Sequence, residues 1–284
     1  MKRLWLKLFL LFFVACEDDV AGDKVPVEQD VVLETLVTDL TNPWGLTFLT
    51  AGSLLITERP GQILHYDNGK VEIVVGLPDI IAIGQGGILD IATHPNFTFN
   101  KLIYFTATVG SSEAFSTALF QAKFESNQLQ AVKKLFQADI KNNMDRHFGS
   151  RIVFDKDGFV FVSFGERGDS NSAQDLSNHN GTIIRLTDTG EVPQDNPFVS
   201  NLSAKPEIWS YGHRNVQGLA LHPITGELWS HEHGPKGGDE INIIKKGANY
   251  GWPLATFGVD YDGSIISTDT TIAGAEDPVY YWVP

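Results

Sequence analysis

The stretch GSRIVFDKDGFVFV (residues 149–162) holds two short apolar segments on either side of an Asp157-Gly158 turn. Asp-Gly between alternating apolar residues is a strong short-range signal for a β-hairpin. The same unit recurs along the chain. GLTFLTAGSLLIT (45–57) turns at Ala51-Gly52. GILDIATHPNFTFNKLIYF (87–105) turns through His94-Pro95-Asn96. GLALHPITGELW (218–229) turns at Thr225-Gly226. Each pair is expected to continue into further strands: residues 61–75 through a hairpin at Asn68-Gly69, and residues 181–186 through a turn at Asp188 to Gly190. No long stretch has a dominant helical period. Residues 125–138 come nearest, and hairpin strands explain them as well. A strand pair recurring at this interval marks a radial array of sheets. The fold expected is an all-β propeller of four-stranded antiparallel blades, with four recognisable blades and part of another. The aromatic run Tyr280-Tyr281-Trp282 looks like the middle of a blade. An open ring would expose pairing edges, so the chain is expected to be a C-terminally incomplete part of a longer protein.

The chain has 284 residues, 42% of them hydrophobic and 20% charged, which is ample for a packed core. The net charge of −14 argues against nucleic acid, whose phosphates require Lys and Arg. It fits a neutral polar substrate or bound cations. The N-terminus reads as an export signal: Lys2, Arg3 and Lys7, then an apolar run over residues 8–15 too short to span a bilayer. Phe13-Val14-Ala15-Cys16 resembles a lipoprotein cleavage box, and the alternative is an ordinary signal peptide with an incidental cysteine. Cys16 is the only cysteine, so the chain has no internal disulfide. The organisation expected is a signal over 1–16, a flexible acidic linker over 17–30, and one domain over 31–284. The product would be periplasmic or surface-tethered, touching membrane only through a lipid anchor.

Unusual chemistry is concentrated in KPEIWSYGHRNVQGLALHPITGELWSHEHGPKGGDEINIIKKGANYGWP (205–253). Three polar clusters, Tyr211 to Asn215, His231 to Pro235 and Gly237 to Glu240, fall at the ends of apolar strands, where sheet proteins place their sites. "YGHRN", "EHGP.GGDE" and "NYGWP" in combination resemble the soluble quinoprotein sugar dehydrogenases that use pyrroloquinoline quinone (PQQ), in particular their aldose sugar dehydrogenase branch. Similar motifs run from about Pro43 to Pro253. The resemblance implies a six-bladed propeller.

His147, flanked by Arg146 on a strand-entry loop, reads from its neighbours either as a general base or as a surface histidine. The resemblance implies the base, which takes the proton of a sugar's anomeric hydroxyl. In the glucose-oxidising branch an Asp precedes this His, whereas here Arg146 stands there with Asp145 one further back. Arg214 and Asn215 are implied to contact the quinone. A planar cation suits its carboxylates, while the alternative is an Arg paired with a carboxylate between blades. The backbone carbonyls of Gly234 and Pro235 are implied to hold the Ca2+ that also binds PQQ. Glu240 and Tyr250 are similar to a second calcium site, which Asp260 and Asp262 could extend. Their alternative is a solvated Asp-Glu turn. His231 and His233 share a strand face, but nothing completes a zinc site around them. Gln85, between glycines, is implied to touch the sugar. GERGD (165–169) resembles a family loop and receives no role.

The resemblance implies an exported PQQ- and Ca2+-dependent aldose dehydrogenase. It would oxidise the anomeric carbon to a lactone and pass electrons to an external acceptor, a quinone or a cytochrome; the sequence sets no oligomeric state. A calcium-dependent propeller lactonase and a non-catalytic carbohydrate-binding propeller are the alternatives.

Overall fold

The computed structural model describes residues 32–139 and 143–283. The signal reading of 1–16, Cys16 and the linker over 17–30 lie outside the described residues. A compact unit spans Leu36–Pro284. Of the preceding unit, Met1–Thr35, residues 32–35 have no regular secondary structure.

Among the described residues sixteen strands form four antiparallel sheets, each a meander in chain order. The first holds β1 (Pro43–Thr50), β2 (Ser53–Glu58), β3 (Gln62–Asp67) and β4 (Lys70–Ile73). The second holds β5 (Ile88–Thr93), β6 (Leu102–Ser111), β7 (Ala114–Glu125) and β8 (Gln128–Gln137). The third holds β9 (Ile152–Phe154), β10 (Val160–Phe164), β11 (Thr182–Leu186) and β12 (Ile208–Tyr211). The fourth holds β13 (Val216–Leu221), β14 (Leu228–Glu232), β15 (Glu240–Ile244) and β16 (Tyr280–Tyr281). The leading strands β1, β5, β9 and β13 contact one another in series, so the sheets are blades of a propeller arranged about an axis.

The middle strands read as near-continuous apolar runs because both of their faces are covered by neighbouring blades. Along β10, Val160, Val162 and Phe164 pack towards the second blade, and Phe161 packs towards the fourth. In β6, Ile103, Phe105 and Ala107 point at the first blade while Tyr104 points at the third. Each such buried Val, Ile or Phe side chain contributes about 1.5–3 kcal/mol relative to exposure.

Residues 125–138 are a hairpin, not a helix. Ser126 and Asn127 both take positive φ (50° and 58°), as the favoured two-residue hairpin turn requires. One expectation is corrected, and two expected turns form with longer connections after them. The turn over Thr187 to Glu191 forms, and β11 pairs with the antiparallel β12, which begins only at Ile208 after a long connection. Tyr280–Tyr281 does not belong to a further blade: it pairs with Ile241 and Glu240 as the outer strand of the fourth sheet. The His94-Pro95-Asn96 turn continues into a single helical turn, Phe97–Asn100. Among the described residues no helix is long and apolar enough to cross a membrane.

Candidate active site

Three loops at one end of the blades build the site: residues 143–151 leading into β9, 212–215 between β12 and β13, and 233–239 between β14 and β15. With Gln85 they line a cavity of about 430 Å³, which brings Gln85, His147, Arg214, Asn215, Gly234 and Pro235 together. A second space of about 310 Å³ shares His147, Arg214, Pro235 and Tyr261 with it, and adds Arg146, Glu166 and Asp260.

The His147 loop is held at several points. His147 has a φ of 53°, rare for a residue with a Cβ, and such a conformation persists only where its surroundings enforce it. Its backbone N–H donates to Gln85 Oε1 at 2.8 Å, and the Gln85 N–H donates to the Asp145 carbonyl at 2.8 Å. Asn215 Oδ1 accepts from Gly149 N–H at 3.1 Å. Arg167 donates to the carbonyls of Arg146, at 3.0 Å, and of Met144. Its guanidinium lies 3.9 Å from the Phe148 ring centre and 5.2 Å from that of Phe115. Burial lowers the Arg167 pKa to about 10, against the opposing pull of Glu166 and Asp145. Gln85 and Asn215 thus position the loop through their side-chain oxygens, which leaves their amide nitrogens for a ligand.

Sequence reasoning gave Glu166 no role. Its buried carboxylate contacts His147 Nδ1 at 2.9 Å through Oε1 and accepts from Gly168 N–H through Oε2. A carboxylate on Nδ1 fixes the tautomer with the proton there, leaving Nε2 as the acceptor. The Glu166 N–H donates to the Arg214 carbonyl at 2.9 Å, so one residue ties the two loops together. A signal was available: GERGD ends a strand of the same blade that His147 leads into.

Arg214 is 6% exposed. Its N–H donates to Glu232 Oε2 at 2.7 Å, its Nη1 donates to the His233 carbonyl at 3.2 Å, and the guanidinium lies 5.4 Å from the Trp252 ring centre. Among the described residues no carboxylate pairs with the guanidinium, contrary to the between-blade ion-pair alternative. The adjacent His213 is structural: it is fully buried, bonded to Ser210 Oγ (2.9 Å) and Glu232 Oε1 (2.8 Å), and stacked on Tyr250.

Gly234 N–H donates to Asp239 Oδ1 at 2.8 Å, closing the 234–239 turn. A Cβ on Gly234 would sit 2.3 Å from the Gly237 and Gly238 carbonyl oxygens, so only glycine fits. Glu240 and Tyr250 lie apart from the main cavity, in a neighbouring space of about 10 Å³ bordered by Arg214, Glu232 and Gly234, roughly one water's worth of room. Glu240 is paired in register with Glu232. Burial first, and then Glu232, push the Glu240 carboxyl up to about 8, while its bond from Asn242 opposes them. Asn242 Oδ1 and Ser230 Oγ are buried without a hydrogen-bond partner among the described residues. Burial also raises the Tyr250 phenol, whose hydroxyl donates to the Ile243 carbonyl at 2.7 Å. Asp260 lines the cavity wall, and Asp262 is exposed. His231 and His233 face solvent, and no group of three or more His, Cys, Asp or Glu that could hold a metal is found among the described residues.

Residues 40–284 match the family model for glucose/sorbosone dehydrogenase. The chain is 43% identical over 261 residues to aldose sugar dehydrogenase YliI of Escherichia coli, covering 89% of this chain and 70% of that protein. The crystal structure of the soluble aldose sugar dehydrogenase from Escherichia coli in the apo-form superposes with a TM-score of 0.83 at 42% identity, covering 86% of this chain and 72% of that one. The PQQ-bound form of aldose sugar dehydrogenase from Streptomyces coelicolor gives 0.76 at 32% identity, covering 89% and 71%. A match over most of the chain, with a propeller whose site loops converge on one cavity, shows that the chain belongs to the glucose/sorbosone dehydrogenase family, whose named members here are oxidoreductases.

Proposed function

We propose that this protein is an exported PQQ- and Ca2+-dependent aldose dehydrogenase with a six-bladed ring. It oxidises the anomeric carbon of an aldose to the lactone and passes electrons to an external acceptor, a quinone or cytochrome. One observation carries the reading: the buried Arg214 guanidinium lines the cavity of His147 and has no anionic partner among the described residues. An uncompensated buried cation is costly, and a ligand rich in carboxylates offsets that cost.

The residues present fit both groups. Arg214 supplies a planar fork of donors, and Asn215 supplies an amide nitrogen whose oxygen is already engaged. The constrained Gly234-Pro235 turn lines the same cavity, and backbone carbonyls are suitable hard-oxygen ligands for Ca2+. Glu240, held protonated near neutrality by a second carboxylate and burial, would be relieved by a cation in its own small space, where Tyr250 borders it. The chemistry these groups supply when bound is hydride acceptance by the quinone, with Ca2+ polarising a quinone oxygen.

The chain's own part is to place the sugar and move its proton. Gln85 borders the cavity beside the base and can donate its amide N–H to a sugar hydroxyl. His147 is placed to receive the anomeric O–H proton at Nε2. Glu166 stabilises the imidazolium that results, as an orienting carboxylate does for a catalytic His. Arg214 would hold the quinone's anionic groups and supply positive charge beside it. PQQ and Ca2+ added to the apo-protein should restore sugar-dependent dye reduction. Absence of a response across a panel of aldoses would remove this reading.

A further inference from the structure

We propose that Arg146 makes the 310 Å³ space beside His147 selective for aldoses that bear a carboxylate, the uronic acids, over neutral aldoses. This rests on the dehydrogenase reading and extends it to the substrate class. Arg146 precedes His147 and lines the 310 Å³ space that contains the base. Its side chain is exposed, and its guanidinium has no hydrogen-bond or ion-pair partner among the described residues.

The placement is built rather than incidental. The Arg146 carbonyl is held by Nε of the buried Arg167 at 3.0 Å. The Arg146 side chain crosses Gly168, where an added Cβ would come within 2.9 Å of its Nε. The Gly168 N–H is bonded to Glu166, the same carboxylate that orients His147. Guanidinium and base therefore share one support. An arginine serving only solubility needs neither a clamp on its carbonyl nor a glycine beneath it.

Two acids face the same space. The Glu166 oxygens are committed to His147 and Gly168. Asp260 accepts from Tyr261 N–H at 2.7 Å and forms no ion pair with Arg146. The free fork of Arg146 matches a carboxylate. In a pyranuronate the carboxylate sits on the ring carbon joined to C1 through the ring oxygen. A cation beside the base can thus reach it while C1 faces His147.

The test compares galacturonate with galactose on the quinone- and Ca2+-loaded protein and on its R146Q and R146K variants. R146Q should lower kcat/KM for galacturonate relative to galactose by about tenfold or more, and R146K should recover part of that ratio. An unchanged ratio overturns the proposal. So does a ratio that stays at the parent value while R146Q weakens quinone binding in a fluorescence titration, because the guanidinium would then serve the cofactor's carboxylates. Equilibrium dialysis of the two labelled sugars needs no turnover and stands apart from the dehydrogenase reading. Tighter retention of galacturonate that is lost in R146Q supports the role, and equal retention of the two sugars overturns it even if neither is oxidised.

Discussion

Arg214 and His147 do opposite things for the chain that carries them. Arg214 is a buried cation whose charge no carboxylate of the described residues answers. Arg214→Met should therefore stabilise the cofactor-free protein, by about 1 kcal/mol in thermal or urea unfolding. The same change should weaken PQQ binding by about tenfold or more in a fluorescence titration. A variant less stable than the parent would show that the protein itself already compensates the charge. His147 sits in a strained backbone conformation with one ring nitrogen on Glu166. His147→Gln should cut kcat by about 10²–10⁴-fold while leaving cofactor affinity near the parent's. Glu166→Gln keeps the shape and removes the charge, so kcat should fall by about tenfold or more with KM little changed. Equal losses of turnover and cofactor affinity in His147→Gln would argue against the base.

The hairpin β14–β15 carries the clearest pH dependence. Its register sets Glu240 opposite Glu232, and burial with that neighbour raises the Glu240 carboxyl to about 8 from an ordinary value of 4.5. Between those values the native state holds a proton that the unfolded state has released. The contribution of Glu240 to the stability of the calcium-free protein should therefore be full below about 4.5 and be lost as pH rises towards 8. Thermal melts across that window should show the decline, and Glu240→Gln should flatten it. Added Ca2+ should stabilise most at the alkaline end, where Glu240 is free to ligate it. A pH-independent melting temperature in the metal-free protein would contradict this. Both partners were legible as residue types, since Glu232 and Glu240 stand in quoted motifs, but their opposition depends on a strand register that sequence does not give.

Across the whole molecule, what was legible followed from local rules. Asp157-Gly158 and Asn68-Gly69 mark turns because few other residues accept positive φ, and the apolar runs of β6 and β10 reflect blades packed on both faces. The pairing of Tyr280–Tyr281 with β15 was not legible, because some thirty-five irregular residues separate the two strands. Turn chemistry says nothing about such a return. In the site, Gln85, His147, Arg214, Asn215, Gly234 and Pro235 were named from the sequence and share one cavity. Glu166 and Arg167 were passed over: their work is done on other loops, through contacts with His147 and with the carbonyls of residues 144 and 146. The separation of Glu240 and Tyr250 into their own space was equally invisible, since it depends on Arg214 and Gly234 standing between the two cavities.

The account rests on an anionic quinone bound between Arg214 and the Gly234-Pro235 turn, facing His147. The most direct measurement is a crystal structure of the protein with PQQ and Ca2+ bound. It should show the quinone within hydrogen-bond distance of Arg214 and Asn215, a cation on the carbonyls of Gly234 and Pro235, and His147 Nε2 open to the space above the ring. A quinone bound elsewhere, with Arg214 still facing an empty cavity, would contradict it.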